Sequence, residues 1–167
     1  SAIEARVLAW LAGESWRIDV FNTHGKIYEA SAEKMFHLPP GSVKKGDPMR
    51  QKGKIAELAL GYGGSVGALR SMGALEMGLE EKELKPLVDS WRLANGQITK
   101  FWWSVGAAAE RCIMTKRPQK LREGIEMRMQ GPLLRIKLPS GRELSYVKPR
   151  VDAESNITYE GQIQNGG

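Results

Sequence analysis

Arg50, Lys54, Leu58 and Tyr62 follow one another at intervals of four residues in the stretch RQKGKIAELALGYGG. On an α-helix, four residues turn the chain by about 400°, so each member lies about 40° round from the one before. The set therefore forms one slowly winding stripe. Cations fill its N-terminal half, and an apolar and an aromatic side chain fill its C-terminal half. Such a face suits a ligand with an anionic tail and a flat body, and a nucleoside triphosphate has that form. Arginine forks onto two phosphate oxygens, while lysine acts as a point charge. Gly61, Gly63 and Gly64 follow. A glycine inside a helix costs roughly 1 kcal/mol relative to alanine, but it lets another backbone or a base come close. A solvated surface helix closed by a glycine C-cap accounts for the same residues. The segment is not a phosphate loop, because G-x-x-x-x-G-K-[ST] is missing.

The stripe needs a helix to carry it. Asp47-Pro48 is a helix entry, with an aspartate cap and a proline in the first turn, and the spacing predicts a helix over 48–62. Upstream, 3–12 reads as a buried helix that ends near Gly13 and Glu14. Residues 16–21 read as a helical turn or a short extended piece. Thr23 is expected to cap a helix over 24–36 whose apolar face is Ile27, Ala30, Met35 and Phe36, and Pro39-Pro40-Gly41 breaks it. Downstream, helices are expected over 65–72, 79–94 and 97–115. The 79–94 helix carries Glu80, Glu81 and Glu83 near its start and Arg92 near its end, as the helix dipole prefers. The period then drops to two: Ile125, Met127 and Met129 alternate, as do Leu134, Ile136 and Leu138. Pro139-Ser140-Gly141 turns the chain, and Leu144 and Tyr146 alternate again, which predicts a β-hairpin. Ile157 and Tyr159 are candidates for a further strand. The expected class is mainly α with a small antiparallel sheet near the C-terminus (α+β).

The chain has 167 residues, 41% hydrophobic and 26% charged, with a net charge of +6. That length allows one ordinary domain with its own core. No apolar run reaches the roughly 18 residues a membrane span needs, and Glu4 and Arg6 interrupt the start too early for a signal peptide. The single cysteine, Cys112, excludes an internal disulfide and fits a reducing compartment. A basic balance favours polyanionic partners. The first residue is Ser1 and the last residues are Asn165-Gly166-Gly167, so both ends are expected to be cuts in something longer.

Three stretches carry a resemblance. Arg50…Lys54…Leu58…Tyr62-Gly63 is similar to the fingers helix of the family A DNA polymerases, whose pattern is R-x-x-x-K-x-x-x-[F/Y]-x-x-x-Y-G. Ser1-Ala2-Ile3-Glu4-Ala5-Arg6 resembles the second half of that family's palm motif, D-[Y/F]-S-x-I-E-x-R. Thr23-His24-Gly25 resembles the family's histidine at the start of the next helix. Order and separation agree, the likeness covers essentially the whole chain, and the wording of THGKIYEASA and KGKIAELALGYGGSVGAL is closest to bacteriophage-type members.

The resemblance implies a division into a partial palm segment (1–20), a helical fingers region (21–119) and a β-hairpin with a return segment (120–167). It implies that Arg50, Lys54 and His24 bind the phosphates of an incoming deoxynucleotide. Tyr62 would stand beside the templating base, with Glu4 packed near it as a steric gate against a ribose 2′-hydroxyl. Arg6 would help organise the site or the primer strand, and Gly63 and Gly64 would let the template turn. Leu58 stands where the family has Phe or Tyr. Implied partners are a DNA template-primer, the deoxynucleoside triphosphate and the rest of the polymerase, in the cytoplasm of a bacterial or phage-infected cell and with no membrane. The family's Mg²⁺ ions are held by two palm aspartates, one expected before Ser1 and one in a later His-Asp motif. This chain is therefore expected to bind no metal and to be inactive alone. The alternative is a non-catalytic nucleic-acid-binding module that retains the fingers fold.

Other constellations are weaker. His24, His37 and Cys112 lack metal-ligand spacing. Phe101, Trp102 and Val105 fit a helix core face better than a base-stacking platform. Lys116, Arg117, Lys120 and Arg122 form a basic patch that suits either DNA phosphates or solvent.

Overall fold

The computed structural model describes residues 2–161, and the chain divides into two compact units, Ser1–Lys100 and Phe101–Gly167. The fold is α+β: helix-rich, with one small antiparallel sheet.

The first unit is helical. α1 (Ala2–Ala12) is followed after Gly13 and Glu14 by α2 (Ser15–Asn22), so of the helical turn or short extended piece expected over 16–21 the structure has the helical form, extended to eight residues. α3 spans Ile27–Met35. The helix expected from His24 starts later because Thr23 acts on the other side of the break. Its hydroxyl donates to the carbonyls of Asp19 and Val20, and Thr23 closes α2 instead of opening α3. α4 is Pro48–Leu60, α5 is Val66–Ser71 and α6 is Glu81–Ala94. α6 begins two residues later than the periodicity predicts. Glu80 is its cap, and a capping box with Glu83 satisfies backbone N–H groups that the first turn leaves open. The division between the units falls within α7 (Gly96–Thr115).

α4 packs on α3, α5 and α6. Its buried side is Gly53, Ile55, Ala56, Ala59 and Leu60. At Gly53 the backbones of α3 and α4 meet: a Cβ there would lie 2.2 Å from the Tyr28 carbonyl oxygen. The apolar core includes Ala32, Leu69, Leu84, Val88 and Trp91.

A polar knot sits inside that core. Arg17, 1% exposed, reaches both carboxylate oxygens of Glu57, with Nη1 to Oε1 at 2.8 Å. Oε1 also accepts from the Ser31 hydroxyl at 2.8 Å and from the Trp91 indole N–H at 2.9 Å. Arg17 Nη1 also donates to Asn95 Oδ1 at 3.1 Å, while its Nε is buried without a partner. These contacts tie α4 to α2, α3 and α6. Glu14 is buried as well, and its carboxylate accepts the N–H groups of Gln97 and Ile98 in the first turn of α7.

The second unit is a five-stranded meander in the order β1-β2-β3-β4-β5, every pair antiparallel: β1 (Gln119–Lys120), β2 (Glu126–Gln130), β3 (Leu133–Lys137), β4 (Glu143–Val151) and β5 (Ile157–Glu160). The hairpin expected at Pro139-Ser140-Gly141 joins β3 to β4, with Gly141 at φ 85°. Met127 and Leu134 on one sheet face pack against Ala108, Ala109, Cys112 and Ile113 of α7. A bulge between Val147 and Arg150 accommodates Pro149, which cannot donate to the ladder. Phe101 is buried and Trp102 and Val105 are half-buried, whereas Trp103 is exposed.

Candidate functional site

The sequence builds α4 outward from its cap. Asp47 Oδ1 accepts the Met49 N–H at 2.8 Å, and Pro48 occupies the first helical position. With Gly53, Ile55, Ala56, Ala59 and Leu60 turned inward, the Arg50 stripe is left at the surface. Arg50 and Lys54 are half-buried, and Leu58 and Tyr62 are exposed. α4 ends at Leu60, two residues short of the expected end, so Tyr62 belongs to the turn after the helix.

That turn explains two of the glycines from within the chain. Gly63 has φ 80°, which favours glycine. At Gly64 a Cβ would lie 2.2 Å from the Ala59 carbonyl oxygen and 2.7 Å from Ala68 Cβ, so only glycine lets α5 start so close to the end of α4. Tyr62 is not left loose: its hydroxyl donates to Glu4 Oε2 on α1. That hydrogen bond to a carboxylate, before any effect of burial, pushes the Tyr62 phenol above its ordinary pKa.

Arg50 is engaged with α3. Its Nε donates to Glu29 Oε1 at 2.7 Å, and its guanidinium lies over the Tyr28 ring, 5.4 Å from the centroid. Burial works against ionisation of Glu29, but the Arg50 hydrogen bond and charge, with a backbone contact and Lys26, together outweigh it and hold the carboxyl below its ordinary value. No described residue forms a hydrogen bond or ion pair with the Lys54 ammonium. His24 is exposed in the turn between α2 and α3, where its Nδ1 accepts the Lys26 N–H at 3.0 Å. The neutral ring then carries its proton on Nε2, which stays available as a donor. Arg6 stacks on Phe21 of α2 at 5.1 Å from the ring centroid, and among the described residues no hydrogen bond or ion pair links it to α4. The structure thus brings Glu4 to Tyr62 and ties Arg50 to α3. His24 and Lys54 have no direct bond to the other members of the set.

A cleft of about 460 Å³ opens beside His24, lined by Trp16, Asp19, Lys34 and His37 among others. Among the described residues no group of three or more His, Cys, Asp or Glu side chains could hold a metal ion. No helix of the described residues is long and apolar enough to cross a membrane.

Sequence reasoning missed Arg17, Glu57 and Glu29. Each is a charged residue in a helix, where a solvated position is the ordinary expectation. Glu57 carried a signal, because Gly53 four residues before it and Leu60 three after it both face inward. Glu29 lacked one, because its partner is 21 residues away.

The chain is 55% identical over 171 aligned residues to a protein of Bacillus phage SP02 named "DNA polymerase". The alignment takes in 99% of this chain and 26% of that protein, so the chain spans about a quarter of the length of the curated relative it matches. No family model matches the chain.

Proposed function

We propose that this chain is the nucleotide-binding, fingers-like part of a family A, bacteriophage-type DNA-directed DNA polymerase. The likeness to the phage protein over 99% of the chain carries the polymerase reading, and the surface of α4 gives it a physical form. Arg50 and Lys54 take the triphosphate of an incoming deoxynucleotide, with the Nε2–H of His24 as a further donor. Leu58 and Tyr62 border the sugar and base. The Glu4 carboxylate, held by Tyr62, narrows the space a ribose 2′-hydroxyl would need. Arg6 braces the turn of α2 that precedes His24, and Gly63 and Gly64 leave the surface beside Tyr62 low enough for a template strand to bend.

In the parent protein this face would serve template-directed extension of a primer, in partnership with DNA and the remaining polymerase, in the host cytoplasm. On this reading the metal-holding aspartates belong to the remaining polymerase, and this chain would bind nucleotide without transferring it. The alternative, a nucleic-acid-binding module without catalytic duty, differs in one observable. Its binding to DNA would survive loss of Arg50 and Lys54 and fall steeply with salt. Calorimetric titration of a deoxynucleoside triphosphate into wild type, Arg50→Ala and Lys54→Ala decides. We expect each substitution to weaken binding by about 1–3 kcal/mol, the range for a charge-assisted contact. Equal affinities for all three proteins would refute the assignment.

A further inference from the structure

An arginine on a helix surface normally samples many rotamers, and ordering it on binding costs side-chain entropy. Arg50 is already ordered. Glu29 takes the Nε hydrogen at 2.7 Å, and the Tyr28 ring lies against the guanidinium face. Tyr28 and Glu29 are neighbours on α3, and α3 meets α4 at Gly53 with no room for a Cβ, so platform and arginine are held in one register. Glu29 occupies only the Nε position. No described residue accepts a hydrogen from Nη1 or Nη2.

We infer that Tyr28 and Glu29 are positioning residues for Arg50, fixing its guanidinium so that the Nη edge faces an arriving phosphate. The inference rests on reading Arg50 as a phosphate ligand. Glu29 acts in two opposed ways on a polyphosphate: its charge repels the ligand, and its hydrogen bond orients the cation that attracts it. With Arg50 beside it the charge is largely neutralised, and orientation prevails. The two contributions separate chemically. Alanine removes both, whereas glutamine removes the charge and keeps an oxygen that accepts the Nε hydrogen.

The test is titration of deoxyadenosine triphosphate into the 167-residue chain and its Glu29→Ala, Glu29→Gln, Arg50→Ala and Glu29→Ala/Arg50→Ala variants, each below its own thermal midpoint. Glu29→Ala should weaken binding by about three- to tenfold, and Glu29→Gln should restore affinity to the wild-type level or above. In the Arg50→Ala background, Glu29→Ala should leave binding unchanged or tighten it, because the carboxylate there is bare. Equal effects of alanine and glutamine, or no weakening by alanine, would overturn the inference while leaving the triphosphate reading intact. No binding by any protein, wild type included, would remove that reading and this inference together.

Discussion

At the scale of single residues, the buried knot and the exposed stripe are neighbours on α4, because Glu57 follows Arg50 by seven residues and lies about 20° round from it. Glu57 faces inward with four hydrogen bonds from Arg17, Ser31 and Trp91, while Arg50 and Lys54 lie at the surface. Removing one partner of a buried ion pair strands the other, at a cost of about 3–5 kcal/mol. Glu57→Ala and Arg17→Ala should each lower unfolding stability by that amount in denaturant titration. A double replacement by apolar residues of similar volume should recover much of the loss, because neither charge is then left alone. A single substitution with no effect on the midpoint would show that the knot does not hold α4. The stripe itself was legible in the sequence because four-residue spacing is a local property. The knot was not, since a lone Arg17 in SWRIDVF looks like any solvated arginine until Trp91, Asn95 and Glu57 fold around it.

At the scale of elements, the existence of every helix but α2 follows from periodicity, and helix ends follow from hydrogen bonds that periodicity does not report. Asp47-Pro48 opened α4 as read, because cap and proline act within one turn. Thr23 closes α2 rather than opening α3, because a hydroxyl at a helix junction can serve either neighbour, and here it bonds backward to Asp19 and Val20. Asp47→Ala should cost about 1 kcal/mol, the typical value of an N-cap, read as a lower thermal midpoint. Gly53→Ala should cost more, about 1–3 kcal/mol for an overpacked contact, because its Cβ meets the backbone of α3. A mutant as stable as wild type would mean that α3 and α4 part easily. The hairpin between β3 and β4 was legible from its turn residues. The β4 bulge at Pro149 was not, since a proline in a strand signals only that the ladder must yield somewhere.

At the scale of the whole chain, several carboxyls are held below their ordinary values. Glu29 is one, despite its burial. Glu143 is another, through the Arg128 hydrogen bond first, as is Asp152, through the Asn156 N–H first. A carboxyl whose folded pKa is depressed adds stability that is fully present above its unfolded value. That contribution is lost as pH falls through the folded one. Stability should therefore stay level from neutrality to about pH 5 and decline below about pH 4, where unfolded carboxyls begin to take up protons. Denaturant midpoints measured across that range would show it, and a midpoint unchanged down to about pH 3 would contradict it. The net charge of +6 was legible from composition and favours polyanions without choosing among them. The choice of a triphosphate rests on one face of α4, and photo-crosslinking with an azido-deoxyadenosine triphosphate tests that most directly. The account predicts label in the peptides that carry Arg50 to Gly64 and His24, competed away by unmodified deoxynucleoside triphosphate. Label confined to the basic segment from Lys116 to Arg122, or spread without competition, would contradict it.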